Sequence, residues 1–108
     1  PKIYGKVGAD LTTEEGYAAA KATGLEIIAV LQAATGDLGR IKQFVKVLGM
    51  VNCTPDYTAQ PAVINGFSDL MVAVFGEKGK HARSAVGVGS LPNNMAVEIE
   101  VIVELEDK

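Results

Sequence analysis

The sequence contains one cysteine, Cys53, one histidine, His81, and neither a secretory signal nor the run of roughly 18 apolar residues that marks a membrane span. A single cysteine excludes an internal disulfide and fits a reducing compartment. A single histidine with no second histidine or cysteine at ligand spacing gives no basis for a metal site. We therefore expect a cytoplasmic protein with no membrane partner and no metal.

Basic residues are also scarce, 10 against 13 acidic ones, which gives a net charge of −3 and an isoelectric point near 5.0. Without a basic run, binding to nucleic acid has no electrostatic support, so no nucleic-acid partner is expected. The stretch 76–79 lacks the ending of a phosphate-binding loop, and no cofactor is predicted. The 108 residues, 48% of them hydrophobic, fit one small domain, 1–108.

Two segments have the apolar periodicity of helices. The first starts at a capping box formed by Thr12 and Glu15 and stops at Gly36. Within it, Gly24 is expected to permit close packing on a sheet or another helix. The second starts at about Thr58 or Ala59, has a proline in its first turn and stops at a glycine. Its predicted buried stripe consists of Ile64, Phe67, Met71, Val74 and Phe75.

Three segments, 40–51, 82–88 and 97–105, have the composition of strands, and the first is expected to be central. The turn-forming residues 89–94 suggest that the last two strands pair directly and antiparallel. The order of helix, strand, helix, strand, strand predicts an α+β domain with a mixed sheet and two helices on one face. The strands are too apolar for a small lone sheet, which favours an oligomer.

Arg83 is the most informative residue, because it lies in a short apolar strand whose same-face neighbours, Ala85 and Gly87, are very small. This pattern indicates space for a ligand, and a guanidinium there can bind both oxygens of a carboxylate. The alternative is that Arg83 forms a structural ion pair or lies exposed on the strand.

Glu98 is the second candidate and lies in the alternating strand 97–105. If the last two strands pair directly, Glu98 lies near Arg83, where a carboxylate can orient a water molecule or move a proton. The alternative is that Glu98, Glu100 and Glu104 form a solvated row on one face.

The stretch His81–Leu105, HARSAVGVGSLPNNMAVEIEVIVEL, resembles the C-terminal signature of the RidA family, also called the YjgF family, of reactive-intermediate imine deaminases. It contains that family's Ala-Arg-Ser strand, Leu-Pro turn and Glu-x-Glu strand at the expected spacing. The resemblance extends upstream through 5–13, 37–51 and 62–66, and therefore covers nearly the whole chain.

The resemblance implies the chorismate-mutase-like homotrimer, with three sheets around a central barrel, the helices outside and sites between subunits. It implies hydrolysis of 2-imino acids or enamines to 2-oxo acids and ammonia without a cofactor. Arg83 would hold the substrate carboxylate, Glu98 would position a water, and Asn65 would support the site. A carboxylate-binding or regulatory trimer without turnover is the alternative, and an endoribonuclease is a third reading.

Two departures from the family pattern affect this reading. The family normally opens with a β-hairpin ahead of the Gly-x-x-Gly-x-Asp region around Gly5, Gly8 and Asp10, and this chain is expected to lack it. That hairpin supplies an aromatic residue and a serine-glycine pair to the family's site. Many members also carry a cysteine where this chain has Ala85, so thiol chemistry is not expected there.

Overall fold

The first helix, α1, spans Thr13–Thr35 in the computed structural model, which describes residues 2–107. It begins with the predicted capping box: the Thr12 hydroxyl accepts from the Glu15 amide at 3.1 Å, and the Glu15 carboxylate accepts from the Thr12 amide at 3.0 Å. A hydrogen bond from Lys2 lowers the pKa of Glu15, because it stabilises the charged carboxylate. Gly36 ends the helix in the left-handed region, at φ 75°, as predicted.

The second helix, α2, spans Gln60–Phe75 and has its proline in the first turn, which confirms the predicted element to within one or two residues. Ile64, Phe67 and Met71 are fully buried, as predicted, whereas Val74 is 50% exposed and does not belong to the stripe. At about 100° per residue, Val74 lies between the buried Phe67 and Val63 in angle, so its exposure follows from its position in the last turn of α2. Phe75 continues the stripe, with its ring centroid 5.0 Å from that of Phe44.

The two helices pack closely against each other, and glycines lie at the contact. A Cβ atom at Gly24 would lie 2.9 Å from the Leu70 side chain of α2, which confirms that this glycine permits close packing. At Gly66 of α2, a Cβ atom would overlap the Tyr17 carbonyl oxygen of α1. The Tyr17 hydroxyl also donates to Asp69 at 2.8 Å, and this bond raises the pKa of Tyr17. The helix pair is therefore fixed by backbone proximity as well as by apolar contact.

The sheet has three strands: β1 (Ile41–Asn52), β2 (Ala82–Val88) and β3 (Val97–Leu105). Their order is β2-β1-β3, with β2 parallel and β3 antiparallel to β1. The prediction that the first strand is central is confirmed. The prediction that the last two strands pair directly is wrong, because β1 lies between them.

The connection between β2 and β3 explains the error. Its turn residues suggested a tight hairpin, but residues 89–96 are enough to cross the end of β1. Asn93 and Asn94 take positive φ values of 57° in this crossing, and the Ala96 carbonyl accepts from the Asn52 amide. With β1 in the middle, both edges of the strand with the most buried residues are covered, which favours this order over a hairpin.

The pairing register assigns every strand position to one of two faces. A Cβ atom at Gly49 of β1 would lie 2.6 Å from Ile64 of α2, so the face containing Gly49 is the one covered by helices. We call the other side the helix-free face. Its positions include Lys46, Leu48, Met50, Ala82, Ser84, Val86, Glu98, Glu100 and Ile102.

The observed architecture is the predicted α+β domain, a mixed sheet with two helices on one face. Between residues 2 and 107, neither helix combines the length and apolar character needed to span a membrane.

Candidate functional site

Arg83 lies on β2, an edge strand of the single-chain sheet, and points to the side covered by helices. Its Nη1 atom donates to Asn65 Oδ1 at 2.7 Å and to Ser68 Oγ at 3.2 Å. Asn65 and Ser68 are three residues apart on α2, so one helical turn presents both acceptors to the same nitrogen. The structure therefore brings together Arg83 and Asn65, two of the three residues singled out from the sequence.

Ion pairs elsewhere in the described chain do not involve Arg83. The salt bridges within residues 2–107 are Lys2–Glu15, Lys42–Glu104 and Lys80–Glu77. The alternative of a structural ion pair for Arg83 is thus not observed in this part of the chain. Since a guanidinium carries five N–H donors and Nη1 supplies two, Nε and Nη2 are the donors that remain for a ligand.

A pocket of about 260 Å³ opens beside the guanidinium. It extends toward the start of β2, and its lining includes Lys80 and His81. The sequence had suggested that the space for a ligand lies along Ala85 and Gly87, but the pocket does not extend there. A Cβ atom at Gly87 would lie 2.8 Å from Cys53 Sγ, so this glycine serves close packing rather than a ligand at Arg83. The full lining consists of Asn65, Ser68, Val72, Lys80, His81 and Arg83.

His81 is tied into the same network through both ring nitrogens. Nδ1 lies 2.6 Å from the Gly79 carbonyl oxygen, and Nε2 lies 2.9 Å from Ser68 Oγ. Its ring also packs against Phe67, with centroids 5.9 Å apart. Sequence reasoning weighed His81 only as a metal ligand and did not consider Ser68. The three-residue spacing from Asn65 to Ser68 could have pointed to Ser68, because it places both residues on one face of α2, whereas no such spacing places His81 beside them.

Glu98 is not brought to this pocket within one chain. It is exposed, lies on β3 and belongs to the helix-free face, where it pairs in register with Met50. Arg83 points to the opposite face from the other edge strand. One copy of this chain therefore does not place the Glu98 carboxylate beside the Arg83 guanidinium.

A second and larger cavity, of about 540 Å³, lies at the other end of β2. The positively charged side chain that lines it is Lys6, whose amine already donates hydrogen bonds to Asn52 Oδ1 at 2.9 Å and to the Gly89 carbonyl. Cys53 is buried there and contacts the Gln60 amide at 3.7 Å, with no histidine beside it to activate the thiol. The smaller pocket is the stronger candidate, because only Arg83 offers paired donors that match a carboxylate. The larger cavity is lined by Lys6, Cys53, Thr54, Pro55, Tyr57, Gln60, Gly87, Val88 and Gly89.

Metal ligands do not cluster in the described part of the chain: no group of three or more histidine, cysteine, aspartate or glutamate side chains is placed to hold an ion there.

Comparison with known proteins gives a family match over residues 2–105, to the model described as YjgF/chorismate mutase-like, putative endoribonuclease. Protein TCP17 of Trypanosoma cruzi is 51% identical over 106 residues, which cover 97% of this chain and 66% of the relative.

Two crystal structures have the same fold. Protein Atu1372 of Agrobacterium tumefaciens, described as of unknown function, matches with a TM-score of 0.95 and 42% identity over 97% of this chain and 68% of its own. A protein of Shewanella oneidensis MR-1, described as a putative endoribonuclease, matches with a TM-score of 0.92 and 37% identity over 95% of this chain and 68% of its own. This chain thus spans about two thirds of the length of these relatives.

Proposed function

Since this chain belongs to the YjgF/chorismate mutase-like family, we propose that it hydrolyses 2-imino acids, or their enamine tautomers, to 2-oxo acids and ammonia at the Arg83 pocket. The observation that carries the proposal is the set of contacts that the Arg83 guanidinium makes and the pocket beside it. It is fixed through Nη1 by two neutral acceptors, has no carboxylate partner within residues 2–107, and borders an open pocket.

This geometry supports binding of the substrate carboxylate. Asn65 and Ser68 engage Nη1, so the Nε and Nη2 edge of the guanidinium is available to bind both carboxylate oxygens. Because these contacts fix the plane of the fork before a ligand arrives, less conformational entropy is lost on binding. Lys80 also lines the pocket, and its amine is paired with Glu77 at 2.9 Å.

The reaction needs few groups, because a protonated imine is already an electrophile. Water adds to the imine carbon, a base accepts one proton from that water, and the resulting carbinolamine loses ammonia as the carbonyl forms. The proton taken from the water returns to the nitrogen, which leaves as ammonia, and the hydroxyl proton released as the carbonyl forms is taken up by that ammonia, so a 2-iminium acid and water give a 2-oxo acid and ammonium. A single carboxylate that accepts and returns this proton is sufficient.

We assign that carboxylate to Glu98 of a neighbouring copy in a homotrimer with sites between subunits. Glu98 and Arg83 of one chain are on opposite faces of the sheet, so the assignment requires an assembly. Support for an assembly comes from the helix-free face, where Ile102 is 60% exposed and Val86 is 42% exposed.

Two other activities remain candidates. A trimer that binds carboxylates without turnover would use the same Arg83 contacts. An endoribonuclease is suggested by the descriptions of the family model and of the Shewanella structure. The net charge of −3 gives no support to RNA binding, which normally relies on a basic surface.

The deciding experiment measures ammonia and 2-oxo acid formation from imino acids generated in the assay by an amino-acid oxidase. We expect acceleration by the wild-type chain and loss of it in Arg83→Lys and in Glu98→Gln. Glu106→Gln, a change of the same kind in an exposed residue after β3, is the control and should match wild type. Carboxylate binding without acceleration would leave the binding-only trimer, and RNA cleavage lost in Arg83→Lys would favour the nuclease.

A further inference from the structure

We propose that Ser68 is a ligand-binding residue of the Arg83 pocket and that protonation of His81 turns its hydroxyl proton toward the ligand. The proposal rests on the carboxylate site described above and adds a pH-dependent donor to it. Both residues line the pocket, and neither was predicted from the sequence as part of a site.

The tautomer of His81 follows from its partners. A carbonyl oxygen has no proton to donate, so the 2.6 Å contact with Gly79 requires the proton to be on Nδ1. In the neutral ring, Nε2 is then an acceptor. The 2.9 Å contact with Ser68 Oγ is therefore a bond in which the serine hydroxyl donates.

Ser68 is fully engaged in this state. Its hydroxyl proton is used by His81, and its oxygen accepts from Arg83 Nη1 at 3.2 Å, a bond in which arginine is always the donor. The hydroxyl therefore offers no proton to a ligand as long as His81 is neutral.

Protonation of His81 reverses one of these bonds. Nε2 then carries a proton and donates to Ser68 Oγ, whose two lone pairs accept from His81 and Arg83 together. The serine proton is released to donate to an anion held at the Nε and Nη2 edge of Arg83. The same step adds a positive charge to the pocket lining, so the affinity for carboxylates increases as pH falls.

The groups around His81 come from its own segment of the chain, from α2 and from β1. Lys80 and Glu77 precede it and are paired with each other at 2.9 Å, and Arg83 follows it on β2. The residues of α2 that line the pocket are neutral: Asn65, Ser68 and Val72. The neighbouring residue of β1 is also neutral, since Gln43 donates to the Lys80 carbonyl at 2.5 Å. Lysine, glutamate and arginine ordinarily titrate outside the window between about pH 5.5 and 7.5, where histidine changes charge.

The first test needs no ligand. His81 is the only histidine in the chain, so the ring nitrogen resonances in a ¹H–¹⁵N NMR spectrum belong to it without further assignment. We expect the neutral form at about pH 7.5 or above to carry its proton on Nδ1. A neutral ring protonated on Nε2 would overturn the proposal, because Ser68 would then not be the donor.

The second test titrates pyruvate, the smallest stable 2-oxo acid, by calorimetry across the same window. In wild type, the affinity for pyruvate should increase about three- to tenfold from the alkaline to the acidic end of this window, because one added hydrogen bond contributes about that much. Binding should be accompanied by uptake of a proton. His81→Gln should remove this pH dependence, and Ser68→Ala should reduce it to the part that comes from the charge of His81. Ser90→Ala, in the loop after β2, is the matched control and should retain it.

The outcomes separate this proposal from the function itself. If pyruvate affinity is lost in Arg83→Lys but does not change with pH in wild type, the carboxylate site stands and the His81–Ser68 control is overturned. If Ser68→Ala retains the full pH dependence of wild type, the role of the Ser68 hydroxyl is likewise overturned. If pyruvate does not bind, or binds equally well to Arg83→Lys, the carboxylate site fails and the present proposal fails with it.

Discussion

Arg83 and Glu98 lie on opposite faces of one three-stranded sheet, on its two edge strands. Arg83 pairs with Val47 on one side of β1 and Glu98 pairs with Met50 on the other. From strand spacing and rise, their backbones are about 14 Å apart. A site that uses both residues therefore has to be completed by a second copy, and this requirement links the proposed chemistry to the assembly.

Arg83→Lys separates ligand recognition from stability. Lysine keeps the charge but loses the planar fork, so we expect 2-oxo acid binding to weaken by about 1.5 to 3 kcal/mol, or at least about tenfold. The melting temperature should stay close to wild type, because Arg83 has no ion pair within residues 2–107 to lose. Calorimetry of binding and of unfolding measures both quantities. An unchanged affinity would remove Arg83 from the site.

The helices were predictable because their signals are local. The capping box at Thr12 and Glu15 and the left-handed Gly36 define α1 over a few residues, and each is present as predicted. The buried stripe of α2 follows from helical periodicity and was wrong only at Val74, in the last turn of the helix.

The sheet order and half of the site were not predictable in the same way. The segment 89–96 contains turn residues in either topology, and only burial of β1 along both edges decides between a hairpin and a crossing. Ser68 and His81 are thirteen positions apart in sequence, and their contact exists only because the chain folds back from α2 into the sheet. Such contacts depend on tertiary packing, which a residue pattern does not contain.

Gly66→Ala tests the close contact between the two helices. A Cβ atom there would overlap the Tyr17 carbonyl oxygen, and backbone cannot move aside as a flexible side chain can. We expect the free energy of unfolding to fall by about 1 to 3 kcal/mol, the usual cost of overpacking. Gly89→Ala is the control, since a methyl group added there would point into open space and the φ of Gly89 is not positive. Equal stability of the two variants in urea would contradict the packing argument.

Ile102→Glu tests the helix-free face as a subunit interface. Ile102 is 60% exposed on this face, and a buried carboxylate among apolar partners would be costly, so the variant should sediment as a smaller species than wild type. Val30→Glu is the matched control: Val30 is 65% exposed on α1 and should tolerate the change without dissociation. A wild-type chain that sediments as a clean monomer or dimer at micromolar concentration would contradict the trimer.

Mixing of inactive variants tests whether Arg83 and Glu98 of one site come from different chains. In a ring of identical subunits, an Arg83→Ala chain still supplies Glu98 to its neighbour, and a Glu98→Gln chain still supplies Arg83. Unfolding the two variants together and refolding them at equal amounts should therefore restore about one quarter of the sites, and with them about one quarter of wild-type deaminase activity.

The control for this experiment uses two residues that meet within one chain. Asn65 accepts from Arg83 of the same chain at 2.7 Å, so mixing Arg83→Ala with Asn65→Ala regenerates no site that contains both native residues. Activity should then not exceed that of the separate variants. Recovery in the first mixture and none in the second would place Glu98 across the interface. If neither mixture recovers activity while mixed trimers form, Glu98 does not complete the Arg83 site, and another group must accept the proton from water.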